Sequence, residues 1–271
     1  MITTHITALN ALKKSEPNPA IGATLLTTQH YPLYYRMITK CGCTYILNLL
    51  HYLNKGRILH NPLRVHKHSL VPAATAASNT DISQSPYSFV VIRNPIKRFM
   101  SLYFDKLYTP TPIDKKYSMG AYFLKNGLID ASAGTDIAKH RENCINSIRW
   151  IAKNISGHTN QPQNWHWKPQ KIRLKQVHPF HFNVLILENI VPQLTQTLKP
   201  LVPNIENALK TISVQNKSAK PVPVEAVLND TLRQLISDTY SDDTKIYQEV
   251  ATYWREFDKE DVCNKNLKSA T

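Results

Sequence analysis

Apolar positions along this chain follow two periods that alternate over most of its length. Residues 34–39, 87–92 and 182–187 are short runs rich in aromatic and β-branched side chains. The second is bounded by Pro86 and Asn94-Pro95, and all three have the pattern of buried strands. Between them the spacing becomes helical. Behind Thr44, read as an N-cap, Ile46, Leu47, Leu49, Leu50 and Leu53 share a face. Ile96, Phe99, Met100, Tyr103, Phe104 and Leu107 form a second stripe, with Pro95 in a first turn where proline is tolerated. Further helices are expected around 117–125 and 136–154 and from 192 onward. The last region includes a stripe through Val224, Val227, Leu228, Leu232, Leu235 and Ile236, followed by 242–257. Residues 64–70 suggest a short strand, and 71–85 and 157–177 suggest loops. Strands alternating with helices predict an α/β fold of three layers, a mostly parallel central sheet with helices on both faces. Residues 1–32, polar and punctuated by proline, read as an N-terminal arm, and 33–271 as a single domain.

Composition narrows the picture. A chain of 271 residues, 42% apolar, can bury a sizeable core. No run approaches the ~18 apolar residues of a membrane helix, and residues 1–19 lack the form of a signal peptide. These features point to the cytoplasm, with a membrane-associated or Golgi origin left open. The net charge of +14 implies a polyanionic partner or a basic surface kept for solubility. Nucleic acid is the default polyanion, but no zinc-finger spacing, ribonucleoprotein signature or basic heptad is present. Cys41 and Cys43 form CxC without a neighbouring His or Cys cluster, so they read as small residues packing a turn, and no metal is expected.

Two segments carry the chemistry. Lys40-Cys41-Gly42-Cys43-Thr44-Tyr45 follows the first strand and opens a helix. Such a turn offers unpaired N–H groups to a phosphate, Gly42 permits close approach, and Lys40 and Thr44 add a charge and a hydroxyl. Arg93 leaves the second strand, with Ser101 two helical turns further on. An arginine fork suits phosphate oxygens. Either loop alone is weak evidence. Two together point to a ligand with phosphate at two places. The order Lys-x-Gly-x-Thr is not the Walker pattern, and no strand ends in a magnesium-holding acid.

These residues resemble the sulfotransferases that use 3′-phosphoadenosine 5′-phosphosulfate (PAPS), in their carbohydrate sulfotransferase branch. Lys40 to Thr44 is similar to the family's 5′-phosphosulfate loop, with Thr39 where proline is usual. Phe89 to Tyr103 resembles its 3′-phosphate segment. His166-Trp167-Lys168-Pro169-Gln170 resembles an element of chondroitin and dermatan 4-O-sulfotransferase relatives, and Asn216-Lys217-Ser218 with Tyr240 and Asp243 resembles the family's C-terminal segment. The resemblance implies a P-loop-like sulfotransferase fold and sulfuryl transfer from PAPS to a carbohydrate hydroxyl by in-line displacement, releasing adenosine 3′,5′-bisphosphate. It also assigns Lys40, Cys41, Gly42, Cys43, Thr44, Tyr45, Arg93, Ser101 and Lys217 to the donor, with Lys40 serving the leaving group. For the general base two histidines compete, His68 in His66-Lys67-His68 and His166 between Trp165 and Trp167. The acceptor implied is a carbohydrate, with anionic polysaccharide or glycolipid among the candidates. A nucleotide-dependent kinase and a non-catalytic glycan-binding protein on the same fold are the alternatives.

Overall fold

The structure is a computed structural model that describes residues 7–10, 21–66, 70–108, 118–212 and 220–268. His68 and Lys217 lie outside this set. The described chain forms two compact units, one drawn from Met1–Arg93, Gln170–Val214 and Asp242–Thr271, the other from Asn94–Pro169 and Gln215–Ser241.

Among the described residues, the first unit holds a sheet of β1 (Leu26–Thr27), β2 (Tyr34–Arg36), β3 (Phe89–Ile92) and β4 (Asn183–Ile186) in that spatial order. β2, β3 and β4 run parallel, and β1 pairs antiparallel with β2. With helices around this mixed sheet, the unit has the α/β architecture its alternating periods predict. All four residues of β3 are buried, which explains why the strand is uninterruptedly apolar rather than alternating. The Cys43–Lys55 helix follows β2, buries Ile46, Leu47, Leu49 and Leu50, and stops at Gly56, whose left-handed backbone lets its N–H reach the Tyr52 carbonyl at 2.8 Å. The long Ser241–Lys268 helix sends Ile246, Val250 and Trp254 into the same core. There the Trp254 indole N–H donates to the Val184 carbonyl at 3.0 Å. Each such side chain contributes about 1.5–3 kcal/mol by leaving water.

Four local expectations change. The sheet starts one strand earlier, because β1 lines up with β2, and Ile21 and Leu25 belong to the core rather than to an arm. Of the strand expected at 64–70, residues 64–66 belong instead to the 3-10 turn Pro62–His66, where Asn61 Oδ1 accepts the Leu63 N–H at 3.0 Å, and 67–69 lie outside the described residues. In the expected loop at 71–85, Asn79–Gln84 is a helix started by a capping box between Ser78 and Asp81. In the expected loop at 157–177, Lys171–Val177 is also helical.

The second unit is helical, with Pro95–Leu102, Met119–Lys125, Ile137–Ile155 and Asp230–Thr239 packed around Phe99, Met100, Phe123, Ile148, Ile151, Leu232 and Ile236. Asn94 caps the first of these, its side-chain oxygen accepting from the Ile96 and Lys97 N–H groups at 3.0 and 3.2 Å, and Pro95 occupies the first turn. That helix continues as a π-turn over Tyr103–Leu107, closed by the Tyr108 N–H on the Tyr103 carbonyl at 2.8 Å. Among the described residues no helix is long and apolar enough to cross a membrane.

Candidate active site

The turn between β2 and the Cys43–Lys55 helix holds two left-handed residues, Lys40 at φ 66° and Gly42 at φ 74°. A side chain in that region costs about 1–2 kcal/mol, so Lys40 is strained. Gly42 is favoured as glycine chiefly by its backbone. Its φ disfavours a side chain, and a Cβ there would lie 2.4 Å from Cδ1 of Leu187, the residue after β4. The N-cap is Gly42 and not Thr44, because the left-handed turn places the helix start one residue before the hydroxyl; no side chain caps the helix and its first turn carries no acid. Its leading N–H groups therefore have no carboxylate or hydroxyl cap from their own helix. The environment of Cys43 registers the resulting field. Burial pushes its thiol up, while the Lys40 ammonium and the backbone N–H groups of Lys40, Thr44 and Cys43 pull the other way. Such a turn, a helix start without a side-chain cap beside a lysine, has donors of the kind that bind anions.

The other assigned residues of this turn divide. The Thr44 hydroxyl lies 2.8 Å from His66 Nε2, either partner donating according to the imidazole tautomer. Cys41 is fully buried, as a small turn-packing residue should be. Tyr45 packs against the core, its hydroxyl is buried with no hydrogen-bond partner among the described residues, and burial pushes its pKa up to about 12.

Arg93, at the end of β3, reaches into this turn. One terminal nitrogen of its guanidinium donates to the Lys40 carbonyl at 3.2 Å, and Nε lies 3.9 Å from Glu188 Oε1. On its other oxygen Glu188 accepts from the Tyr247 hydroxyl at 3.4 Å. The two cationic motifs, about fifty residues apart in sequence, thus meet directly, and Arg93 props the strained Lys40 peptide.

Two further residues complete the frame. Gln170, 2% exposed, accepts through Oε1 from the Arg93 N–H at 2.9 Å and from Cys41 Sγ at 3.1 Å, while its Nε2 donates to the Arg93 carbonyl at 2.9 Å. Asp243, equally buried, accepts the Gln170 N–H at 2.7 Å and the Lys171 N–H at 2.9 Å. Sequence reading noted both residues within motifs but gave neither a role. Arg36, buried at the end of β2, was likewise passed over. It donates to the Thr24 carbonyl and to Gln176, and burial, helped by the nearby Arg173, lowers its pKa to about 9, which still leaves it charged at neutral pH.

With this geometry in view, comparison with known proteins decides the family. The model of the family described as "Sulfotransferase family" matches residues 23–248. The chain belongs to the sulfotransferase family. No curated protein and no solved structure matches it significantly. Family membership makes this a transferase of sulfuryl groups, and the Lys40 turn with its Arg93 prop falls inside the matched span.

The remaining sulfotransferase candidates belong to the second unit. Ser101 is half-buried on the last turn of the Pro95–Leu102 helix. In the loop at 164–168 the two tryptophans have separate fates. Trp167 is buried among Phe123 and Trp150 and donates its indole N–H to Asn154 Oδ1 at 2.7 Å. Trp165 is 38% exposed with the Lys168 ammonium 4.3 Å from its ring centre. Arg98 holds the loop through the Trp165 and Lys168 carbonyls, and the Tyr240 hydroxyl donates to that of Trp167 at 2.9 Å. Asn164 Oδ1 accepts the His166 backbone N–H at 2.9 Å and lies 2.7 Å from its Nδ1. An oxygen can take that second contact only from N–H, so the neutral ring carries its proton on Nδ1 and Nε2 is the basic nitrogen.

Proposed function

We propose that this sulfotransferase takes its sulfuryl group from PAPS and delivers it to a hydroxyl of a carbohydrate acceptor. The observation that carries the reading is the hydrogen bond from Arg93 to the Lys40 carbonyl at 3.2 Å, because it joins the two cationic motifs into one frame suited to a ligand with two anionic ends. When bound, PAPS supplies the activated sulfuryl group and a bisphosphate leaving group.

The chain's own residues take these parts. The uncapped N–H groups at the head of the Cys43–Lys55 helix and the Thr44 hydroxyl grip the 5′ end, and Gly42 lets the backbone approach it. Lys40 places a fixed positive charge where negative charge grows on the leaving oxygen, a kind of stabilisation that requires no reorganisation at the moment of reaction. Arg93 serves the 3′-phosphate while its other donors brace the turn. Ser101 and Lys217 are carried over to the donor by the resemblance alone. Cys41 and Tyr45 support the turn from inside. A histidine takes the acceptor's proton, His68 or His166, and the Nδ1–H tautomer of His166 suits that task. The carbohydrate acceptor rests on the resemblance, with support from the exposed Trp165 and from the net charge of +14, which suits an anionic polysaccharide.

Thermal unfolding followed with added ligand tests the donor. Adenosine 3′,5′-bisphosphate should raise the unfolding temperature and magnesium-ATP should not; stabilisation by magnesium-ATP alone would overturn the reading. Labelled PAPS offered with glycosaminoglycans, bacterial polysaccharides and glycolipids tests the acceptor. Labelling that reaches only non-carbohydrate hydroxyls would remove the carbohydrate part of the proposal.

A further inference from the structure

We propose that Gln170 is a positioning residue whose side-chain amide, anchored by Asp243, sets the separation between the Lys40 turn and the Arg93 end of β3 and thereby the preference for a ligand with two phosphates. The inference rests on the PAPS reading above and adds to it a residue that touches no ligand.

The argument is one of hydrogen-bond accounting. Gln170 Oε1 has two acceptor directions and uses both, one on the Arg93 N–H and one on Cys41 Sγ. Nε2 donates to the Arg93 carbonyl, so a single amide satisfies both backbone groups of Arg93. The side chain thus stands where a further strand residue would pair, and it ends β3 at a fixed place. Through Cys41 the same oxygen fastens the turn that carries Lys40. Gln170 is itself held, since its own N–H and that of Lys171 fill the two oxygens of the buried Asp243 carboxylate. A buried carboxylate is tolerated only when so bonded, and the head of the Lys171–Val177 helix favours its charge. Apolar packing could fill this space equally well. It could not fix the turn and the strand end at one spacing, because dispersion contacts have no direction.

Calorimetry of the full chain with adenosine 3′,5′-bisphosphate and with adenosine 5′-phosphate tests the idea through the ratio of the two affinities. Gln170→Leu fills the space without the amide, and the ratio should fall at least tenfold. Turnover should drop about 100-fold, the scale on which small misplacements act. Gln170→Glu keeps an oxygen for the Arg93 N–H and for Cys41 but sets a second oxygen against the Arg93 carbonyl, so its ratio should fall between wild type and Gln170→Leu. A folded Gln170→Leu whose ratio is unchanged, or whose two affinities fall by one factor, overturns the proposal. Should Gln170→Leu fail to fold, the Gln170→Glu ratio decides, and an unchanged value overturns it equally. A wild-type chain that does not prefer the bisphosphate would instead remove the two-phosphate reading, and this proposal with it.

Discussion

The Lys40 turn and the Arg93 turn have the same plan in sequence, a strand, a cation and a helix, yet they are finished in opposite ways. At the first, the helix starts on Gly42 with no side-chain cap, and the residue bearing the cation sits at φ 66°. At the second, Asn94 takes the Ile96 and Lys97 N–H groups and Pro95 needs none, so the helix start is already satisfied. The first can therefore offer its backbone to an anion, while the second offers side chains, Arg93 foremost. Under the function proposed above, two similar motifs would grip in two ways, one through peptide N–H groups and one through a guanidinium.

The largest effect should come from destroying the first turn's shape. Gly42→Ala adds a Cβ 2.4 Å from Leu187 Cδ1 in a left-handed backbone. Strain of about 1–3 kcal/mol should lower the unfolding temperature, and both bisphosphate binding and transfer should disappear. Adding Leu187→Ala should restore stability in part and activity little, because the space returns but the backbone preference does not. Equal activity for Gly42→Ala and wild type would break the comparison outright.

Next in size is Lys40. Lys40→Ala should cost about 10²–10³ in kcat, the scale of losing one electrostatic donor. Lys40→Gly should lose activity as far and yet unfold at a higher temperature, since it relieves about 1–2 kcal/mol of left-handed strain. Opposite signs for stability and turnover, read by calorimetry and labelled-sulfate transfer, would mark strain kept for function. A Lys40→Gly chain less stable than wild type would contradict that account.

Arg93→Ala should act through the second kind of grip. Losing a charge-assisted hydrogen bond of about 1.5–3 kcal/mol should weaken adenosine 3′,5′-bisphosphate by roughly 10–150-fold and adenosine 5′-phosphate much less. Equal losses for the two ligands would mean that the guanidinium only props the Lys40 carbonyl. Smallest of all should be Asn94→Ala, costing the fold about 1 kcal/mol as a lost cap and leaving bisphosphate affinity where it was. A clear loss of affinity in that variant would show that the two turns are less different than their caps indicate.

Much of this was legible in the chain itself. β3 and the Cys43–Lys55 helix are local patterns, one a continuous apolar run and the other a stripe, and so are the cations that follow the strands. The helix Asn79–Gln84 was hidden because its signal is a polar cap, Ser78 with Asp81, inside a stretch with little apolar periodicity. β1 was hidden because two residues carry no period, and its partners Tyr34, Tyr35 and Ala73 define it. Lys171–Val177 has no side-chain cap to announce it, and its start is stabilised from a distance by Asp243. In the site, residue types suggested an anionic ligand but not the supports. Nothing local shows that Gln170 meets Arg93, that Glu188 stands between Arg93 and Tyr247, or that Thr44 faces His66 rather than capping its helix. Those facts are long-range pairings. The two tryptophans at 165 and 167 show the same limit, alike in sequence yet one exposed and one buried.

The Gln170–Asp243 bridge also has a consequence for the order in which the protein becomes competent during synthesis. A ribosome delivers Lys40, Gly42 and Arg93 early, but the amide that spaces them arrives 77 residues after Arg93 and its carboxylate anchor a further 73 residues on. Contacts of that separation form late, after the entropy of closing long loops has been overcome. A nascent chain can therefore possess both cationic turns without their final spacing, which is fixed only as the Ser241–Lys268 helix emerges.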